Sequence, residues 1–235
     1  MESPRPDALI ETMHVAPDGT IALWAEHARR LAGSAAALGF APVPIGLEDR
    51  VHAAVAALTA PATQSSPSPS QGKPGWRLRL LYAPNGSAFI ETAVLPPLND
   101  KPGLAWARDR LDAAEAGVLD STEPLLRHKT THRPWYASAT EWLAKHPEVF
   151  DLLYVNERGA VCEGSRTNVY ARVDGVWLTP LLKDGCLPGT VRSSLLARNL
   201  VTCATLMPAD IEHAECLRLS NGLRGWFDVV LARCA

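Results

Sequence analysis

Apolar residues recur along this chain with two different periods, and their alternation predicts a mixed α/β protein. Leu9-Ile10-Glu11-Thr12-Met13-His14-Val15 has the composition of a strand. Pro17-Asp18-Gly19-Thr20 is a turn, and Ile21 to Trp24 is either a return strand or the entry to a helix. From Ala25 to Leu38 the spacing is helical: Ala28, Leu31, Ala35 and Leu38 fall on one face, and Gly39 stops the helix. An alanine-rich second helix is expected from Leu47 to about Leu58. Thr59 to Gly75 is dense in Pro, Ser, Gln and Gly and cannot bury enough apolar surface to order itself, so a mobile surface loop is expected there. Trp76 to Tyr82 alternates polar and apolar residues, and Pro84-Asn85-Gly86-Ser87 turns it into a strand from Ala88 to Leu95. Arg77 and Arg79 share one face of the first of these strands.

Further on, Leu104 to Ala116 is compatible with a helix, and Asp120-Ser121-Thr122-Glu123-Pro124 has the composition of a connection between two halves. Phe150 to Asn156 is an apolar strand ending at the turn Glu157-Arg158-Gly159. Ala160 to Val173 continues the sheet, Asp174-Gly175 is a hairpin signal, and Val176 to Thr179 returns. A helix is expected from Arg192 to about Asn199. The division that follows is a small α/β domain over 1–119, a linker over 120–127 and a larger domain over 128–235.

Composition narrows the class. The 235 residues, 47% hydrophobic and 20% charged, suffice for a core without metal or disulfide staples. A net charge of −2 gives no bulk attraction to nucleic acid or to an anionic membrane, so any anion site must be local. The five cysteines are odd in number and lack CxxC spacing, which points to free thiols in a reducing cytosol and to no metal site. Met1 to Asp7 has no apolar segment of a signal peptide, and no run is long enough to span a bilayer. A cytoplasmic protein is expected.

Candidate chemistry centres on Arg127-His128-Lys129-Thr130-Thr131-His132-Arg133-Pro134-Trp135-Tyr136. Most lysines are solvated surface groups. Lys129 sits among Arg127, His128 and Arg133, and positive neighbours with burial favour the free amine that covalent catalysis needs. Glu163-Gly164-Ser165-Arg166-Thr167-Asn168 follows; a glutamate beside glycine is by itself an ordinary turn. Leu187-Pro188-Gly189-Thr190-Val191-Arg192 precedes a helix, whose first amides form a phosphate site. The pair Arg29-Arg30 is by itself a solvated helix face, and Asn221-Gly222 an ordinary hairpin turn.

Taken together and in this order, these motifs resemble the pyridoxal-phosphate enzymes of the class IV aminotransferase family. The segment from Lys129 to Tyr136 is most similar to the aminodeoxychorismate lyases within it, especially versions fused to the chorismate-aminating synthase. The resemblance runs from Leu9 to about Gly225 apart from the Pro-Ser insert. It implies a small α/β domain, a larger domain with a barrel-like sheet, and pyridoxal 5′-phosphate in a cleft between them. By the same resemblance Lys129 holds the cofactor and acts as base and acid. Glu163 contacts the pyridine nitrogen. Arg30, three residues after His27, binds the phosphate together with the Thr190 and Val191 amides and Asn221. The Gly222 amide, Arg79 and Arg133 are the candidates for the substrate carboxylates. A homodimer is implied, and an aminodeoxychorismate synthase is a candidate partner that would supply substrate. The family's usual extra strand pair before the Glu-Thr strand has no counterpart here, since the chain starts almost at Glu11-Thr12.

The reaction expected from the lysine segment is release of pyruvate and 4-aminobenzoate, a folate precursor, from 4-amino-4-deoxychorismate. The same residues would serve transamination of a branched-chain or D-amino acid. A third reading is a family member that binds a ligand without catalysis, against which the retention of Lys129 and Glu163 argues.

Overall fold

The computed structural model describes residues 6–59, 75–112 and 117–232, so the expected Pro-Ser loop lies, but for its end residues Thr59 and Gly75, outside the described residues. The chain divides into two compact units: Met1–Leu98 with Lys129–His132, and Asn99–His128 with Arg133–Ala235.

In the N-terminal unit, β1 (Leu9–Val15), α1 (Trp24–Ala37), α2 (Leu47–Thr59), β2 (Trp76–Tyr82) and β3 (Ala88–Val94) follow in order. The strands form an antiparallel sheet in the order β1-β2-β3. Alternation sends Leu9, Glu11, Met13 and Val15 of β1, and Leu78, Leu80 and Tyr82 of β2, to the buried face. There they meet Leu31 and Ala35 of α1 and Leu47, Val51 and Val55 of α2. Ile21 to Trp24 is a helix entry, not a strand. Gly39, at φ 68°, ends α1 with a Schellman pair: its amide donates to Ala36 O and the Phe40 amide to Ala35 O at 2.8 Å. The free edge of β1 is taken by the lysine segment, where Ile10 N donates to Lys129 O at 2.7 Å and Thr131 N to Ala8 O at 2.9 Å.

The C-terminal unit contains β4 (Gly103–Trp106), β5 (Val118–Leu119), α3 (Ala137–Lys145), β6 (Val149–Asn156), β7 (Val161–Gly164), β8 (Asn168–Val173), β9 (Val176–Pro180), α4 (Thr190–Ala197), β10 (Thr202–Ala204), α5 (Pro208–Glu212), β11 (Cys216–Asn221) and β12 (Gly225–Leu231). Its sheet runs β10-β9-β8-β11-β12-β4-β6-β5, with β7 on β6. Two expectations change here. Leu104 opens no helix: Leu104, Ala105 and Trp106 are buried in β4, which pairs in parallel with both β6 and β12. A short apolar run buried on both faces carries no period, so only its neighbours decide its form. The stretch from Ala160 to Val173 is β7 and β8, parted at Ser165-Arg166-Thr167, where the turn after Glu163-Gly164 is expected. The expected helix begins at Thr190, and α3 follows the lysine segment where no helix was expected. The Asp174-Gly175 hairpin is present, with φ of 48° and 76°.

Candidate active site

In the C-terminal unit Glu163 lies on β7, one residue before its end, buried at 3% exposure. Its Oε1 accepts from the Tyr136 hydroxyl at 2.8 Å. Its Oε2 accepts from the Leu187 amide at 2.9 Å and from Asn168 Nδ2 at 3.4 Å. Asn168 Nδ2 also donates to Leu187 O at 2.9 Å. The glutamate motif and the Leu-Pro-Gly motif are therefore stitched together by the first motif's own Glu and Asn. The sequence alone gives neither Asn168 nor Tyr136 this part in holding Glu163. Burial, and after it the Glu163 carboxyl, push the Tyr136 hydroxyl well above its ordinary range, so it remains a donor.

The turn after Glu163 is held from below by Asp151 on β6. Asp151 is fully buried and accepts from Ser165 Oγ and Thr167 Oγ1, each at 2.6 Å, and from Arg166 N at 3.2 Å. Nothing in the sequence marked this residue, because its partners lie in a different strand connection. Arg133 Nη2 donates to Ser165 O at 2.9 Å, and its guanidinium stacks 4.5 Å from the Tyr136 ring centroid. Half-buried and anchored, Arg133 keeps further N–H groups to offer.

Gly189 caps α4, and a Cβ there would stand 2.0 Å from Asn168 Oδ1. The first amides of α4, those of Thr190 and Val191, have no partner within the helix. Thr190 Oγ1 is buried and has no partner among the described residues. Arg192, also buried, donates to Pro180 O at 2.8 Å, and among the described residues no carboxylate pairs with it. An orphaned hydroxyl, open amides and an uncompensated guanidinium on one helical turn suit a bound phosphate. Asn221 sits at the end of β11, where its Oδ1 accepts from the Leu223 and Arg224 amides at 3.1 and 2.8 Å. Its side chain thus closes the loop 222–224, and the positive φ falls at Gly225, not Gly222. Beside it, buried Ser220 shares a 2.7 Å bond with the Tyr170 hydroxyl.

In the N-terminal unit, Arg30 grips Glu11 from α1: Nε to Oε1 at 2.9 Å and Nη2 to Oε2 at 2.5 Å. His27 Nδ1 also lies 2.5 Å from Glu11 Oε2. One Nη of Arg30 is outside this clamp and can serve an anion. Lys129 is half-buried, its backbone fixed on β1. Its neighbour Thr130 is fully buried and donates through Oγ1 to His132 O at 2.9 Å. Burial, then the charge of Arg127, lower the pKa of His128. Arg79 lies on the outer face of the sheet, 3.6 Å from Glu91. The candidates thus fall into two groups: Lys129, Arg30 and Arg79 belong to the N-terminal unit, and Glu163, Thr190, Val191, Asn221, Gly222 and Arg133 to the C-terminal one.

Among the described residues no helix is long and apolar enough to cross a membrane, and no cluster of His, Cys, Asp and Glu could hold a metal ion. Cys162, Cys186, Cys203 and Cys216 are free thiols.

Comparison with known proteins agrees with the motifs. The family model "Amino-transferase class IV" matches residues 8–232. A solved structure from Mesorhizobium loti, described as a "Putative amino-acid aminotransferase", is 35% identical, with a TM-score of 0.77 over 96% of this chain and 99% of that one. A Mycobacterium tuberculosis structure, "A hypothetical aminotransferase", in its PLP-bound form, shares the fold at 21% identity and a TM-score of 0.72, over 96% of this chain and 81% of that one. A Schizosaccharomyces pombe protein, "Putative aminodeoxychorismate lyase", is 25% identical over 212 residues, 88% of this chain and 83% of its own length. With a small antiparallel sheet followed by a large curled one, and with the family's motifs in order, the chain belongs to the class IV aminotransferase family of pyridoxal-phosphate-dependent enzymes.

Proposed function

We propose that this enzyme is a 4-amino-4-deoxychorismate lyase, releasing pyruvate and 4-aminobenzoate. The observation that carries the reading is the run from Lys129 to Tyr136, which is similar to the lyases. The bond from Tyr136 to Glu163 gives the far end of that run a role in the site. The name of the S. pombe relative points the same way.

When bound, pyridoxal 5′-phosphate supplies a ring that accepts electrons from the substrate. Lys129 Nζ would hold the cofactor and, as a free amine, would take a proton from the substrate and later return one. The Glu163 carboxylate, oriented by Tyr136, Asn168 and the Leu187 amide, keeps the ring nitrogen protonated. Arg30, Thr190, the Val191 amide and Asn221 hold the phosphate. The Gly222 amide, Arg79 and Arg133 receive the substrate's carboxylates. The working form is a homodimer, and a separate synthase delivers the substrate.

The second reading is an aminotransferase acting on branched-chain or D-amino acids, favoured by the M. loti structure at 35% identity. Purified protein loaded with cofactor decides between them. Pyruvate and 4-aminobenzoate from aminodeoxychorismate support the lyase. Keto acids formed from amino acids, without 4-aminobenzoate, support the aminotransferase. In either case borohydride should fix a visible cofactor band in wild type but not in Lys129→Ala; cofactor that stays free in both would leave a ligand-binding protein without catalysis.

A further inference from the structure

Arg192 is the third residue of α4 and is 3% exposed. Arginine is seldom buried so deeply without a carboxylate, because a charge taken out of water loses hydration that an opposite charge best replaces. Its Nη2 donates to Pro180 O at 2.8 Å and to Cys203 Sγ at 3.1 Å, while Nε has no partner among the described residues. Neither acceptor is a carboxylate, and a neutral amide side chain could donate to both. The ionisable side chains that feel its charge do not match it either. Burial keeps the Tyr170 hydroxyl above its ordinary range and pushes the Cys186 thiol up to about 12, in each case against the pull of Arg192, so both stay neutral. Glu163 has its two oxygens on Tyr136, Asn168 and the Leu187 amide.

The placement of Arg192 gives this charge a direction. Helical side chains lean toward the N-terminus of their own helix. Arg192 Cβ lies 3.8 Å from where a Cβ on Gly189, the N-cap of α4, would stand. The stem of Arg192 therefore starts beside the cap, on the turn whose Thr190 and Val191 amides have no partner within the helix. We propose that Arg192 is a positioning residue for the cofactor's phosphate: a fixed, buried positive charge that selects a phosphate dianion through its field and not through a bond. The inference rests on the assignment of Thr190 and Val191 to the phosphate. In a protein interior the field of one charge is weakly screened, with an effective dielectric constant of about 20 against about 80 in water. It adds to the partial positive charge of the helix terminus. The phosphate in turn supplies the opposite charge that the surroundings of Arg192 lack. An Arg192 that merely clamped α4 to β9 and β10 would serve every ligand of the site alike.

The test reads affinity and not turnover. Equilibrium dialysis of the full chain with pyridoxal 5′-phosphate, and with pyridoxal, which lacks the phosphate, compares wild type, Arg192→Gln and Arg192→Lys. Wild type is expected to favour the phosphorylated form. Gln keeps a donor but carries no charge, so Arg192→Gln should lose about tenfold or more in affinity for pyridoxal 5′-phosphate and nothing for pyridoxal. Lys keeps the charge without the planar fork, so Arg192→Lys should retain most of the preference. Inorganic phosphate should raise the melting temperature of wild type and of Arg192→Lys, but not of Arg192→Gln. Equal losses for both ligands in Arg192→Gln, or no loss for either, would overturn the proposal. Should Arg192→Gln fail to fold, Arg192→Lys decides: a folded Lys variant without the preference also overturns it. Wild type that binds both forms alike would remove the phosphate site itself, and this inference with it.

Discussion

Two glycines show how closely the residues around Glu163 approach one another. A Cβ on Gly164 would lie 2.2 Å from Asp151 Oδ2 and 2.5 Å from Thr167 Oγ1, and one on Gly189 would lie 2.0 Å from Asn168 Oδ1. At Gly164 the obstructing atoms are bonded to each other, Thr167 Oγ1 donating to Asp151 Oδ2, and at Gly189 the Asn168 side chain is held through its Nδ2 on Leu187 O, so neither neighbour gives way easily. Gly164→Ala should therefore destabilise the protein by about 2 kcal/mol or more, read as a lower urea midpoint. Glu163→Gln keeps the shape but replaces one accepting oxygen by a donor facing donors. It should lower kcat on the order of 10²-fold while the cofactor still binds, as followed by its absorbance. Tyr136→Phe should cost less than Glu163→Gln, because the Leu187 amide and Asn168 still hold Oε2.

At the scale of elements, two buried carboxylates tie strands to what lies beside them, and they respond to pH with opposite signs. Burial alone would raise the Glu11 carboxyl, but the Arg30 guanidinium and the bonds from His27 and Arg30 outweigh it and hold the group below its ordinary 4.5. A carboxyl depressed in the folded state contributes stability above its unfolded pKa, and that contribution is lost as pH falls through the folded one. The contact between α1 and β1 should thus weaken on acidification below the ordinary glutamate range. Glu11→Gln should flatten that part of the stability curve while costing about 3 kcal/mol at neutral pH, because it leaves buried charge unpaired. For Asp151, burial outweighs the lowering effects of Arg166, Ser165 and Thr167 and raises the carboxyl above its ordinary 3.8. A raised carboxyl binds a proton more tightly in the folded state, so stability falls as pH rises through that window. Urea midpoints of Glu11→Gln and Asp151→Asn, each compared with wild type across acidic pH, should separate these contributions; slopes of the same sign would refute the assignment.

For the molecule as a whole, the consequence is linkage to the cofactor. A ligand that binds only the folded chain stabilises it by about 2.7 kcal/mol at about a hundredfold excess over its Kd. Pyridoxal 5′-phosphate should therefore raise the melting temperature of wild type. The rise should shrink in Lys129→Ala, and in Thr190→Val, which removes the orphaned hydroxyl. An equal rise in all three would mean the cofactor binds elsewhere. Thr190→Val alone should not lower the melting point of the cofactor-free protein, because its hydroxyl makes no bond within the described residues.

Much of the architecture was legible without coordinates, for local reasons. The strand composition of Leu9–Val15, the alternation over Trp76–Tyr82 and the helical spacing before Gly39 are encoded within single segments, and these elements form where expected. The order of the lysine, glutamate and Leu-Pro-Gly motifs carried the family. What depended on distant partners was not legible. Leu104-Ala105-Trp106 became a strand because β6 and β12 flank it. Asn168 became the link between two motifs, and Asp151 the support of a turn, through side chains that meet only once the sheet has formed. The covalent order of the residues determined which elements could form and which chemistry the chain carries. The tertiary structure decided which buried polar groups found partners and which, like His27 Nε2 and Thr190 Oγ1, were left open among the described residues, because satisfaction of a hydrogen bond depends on distance in space and not along the chain.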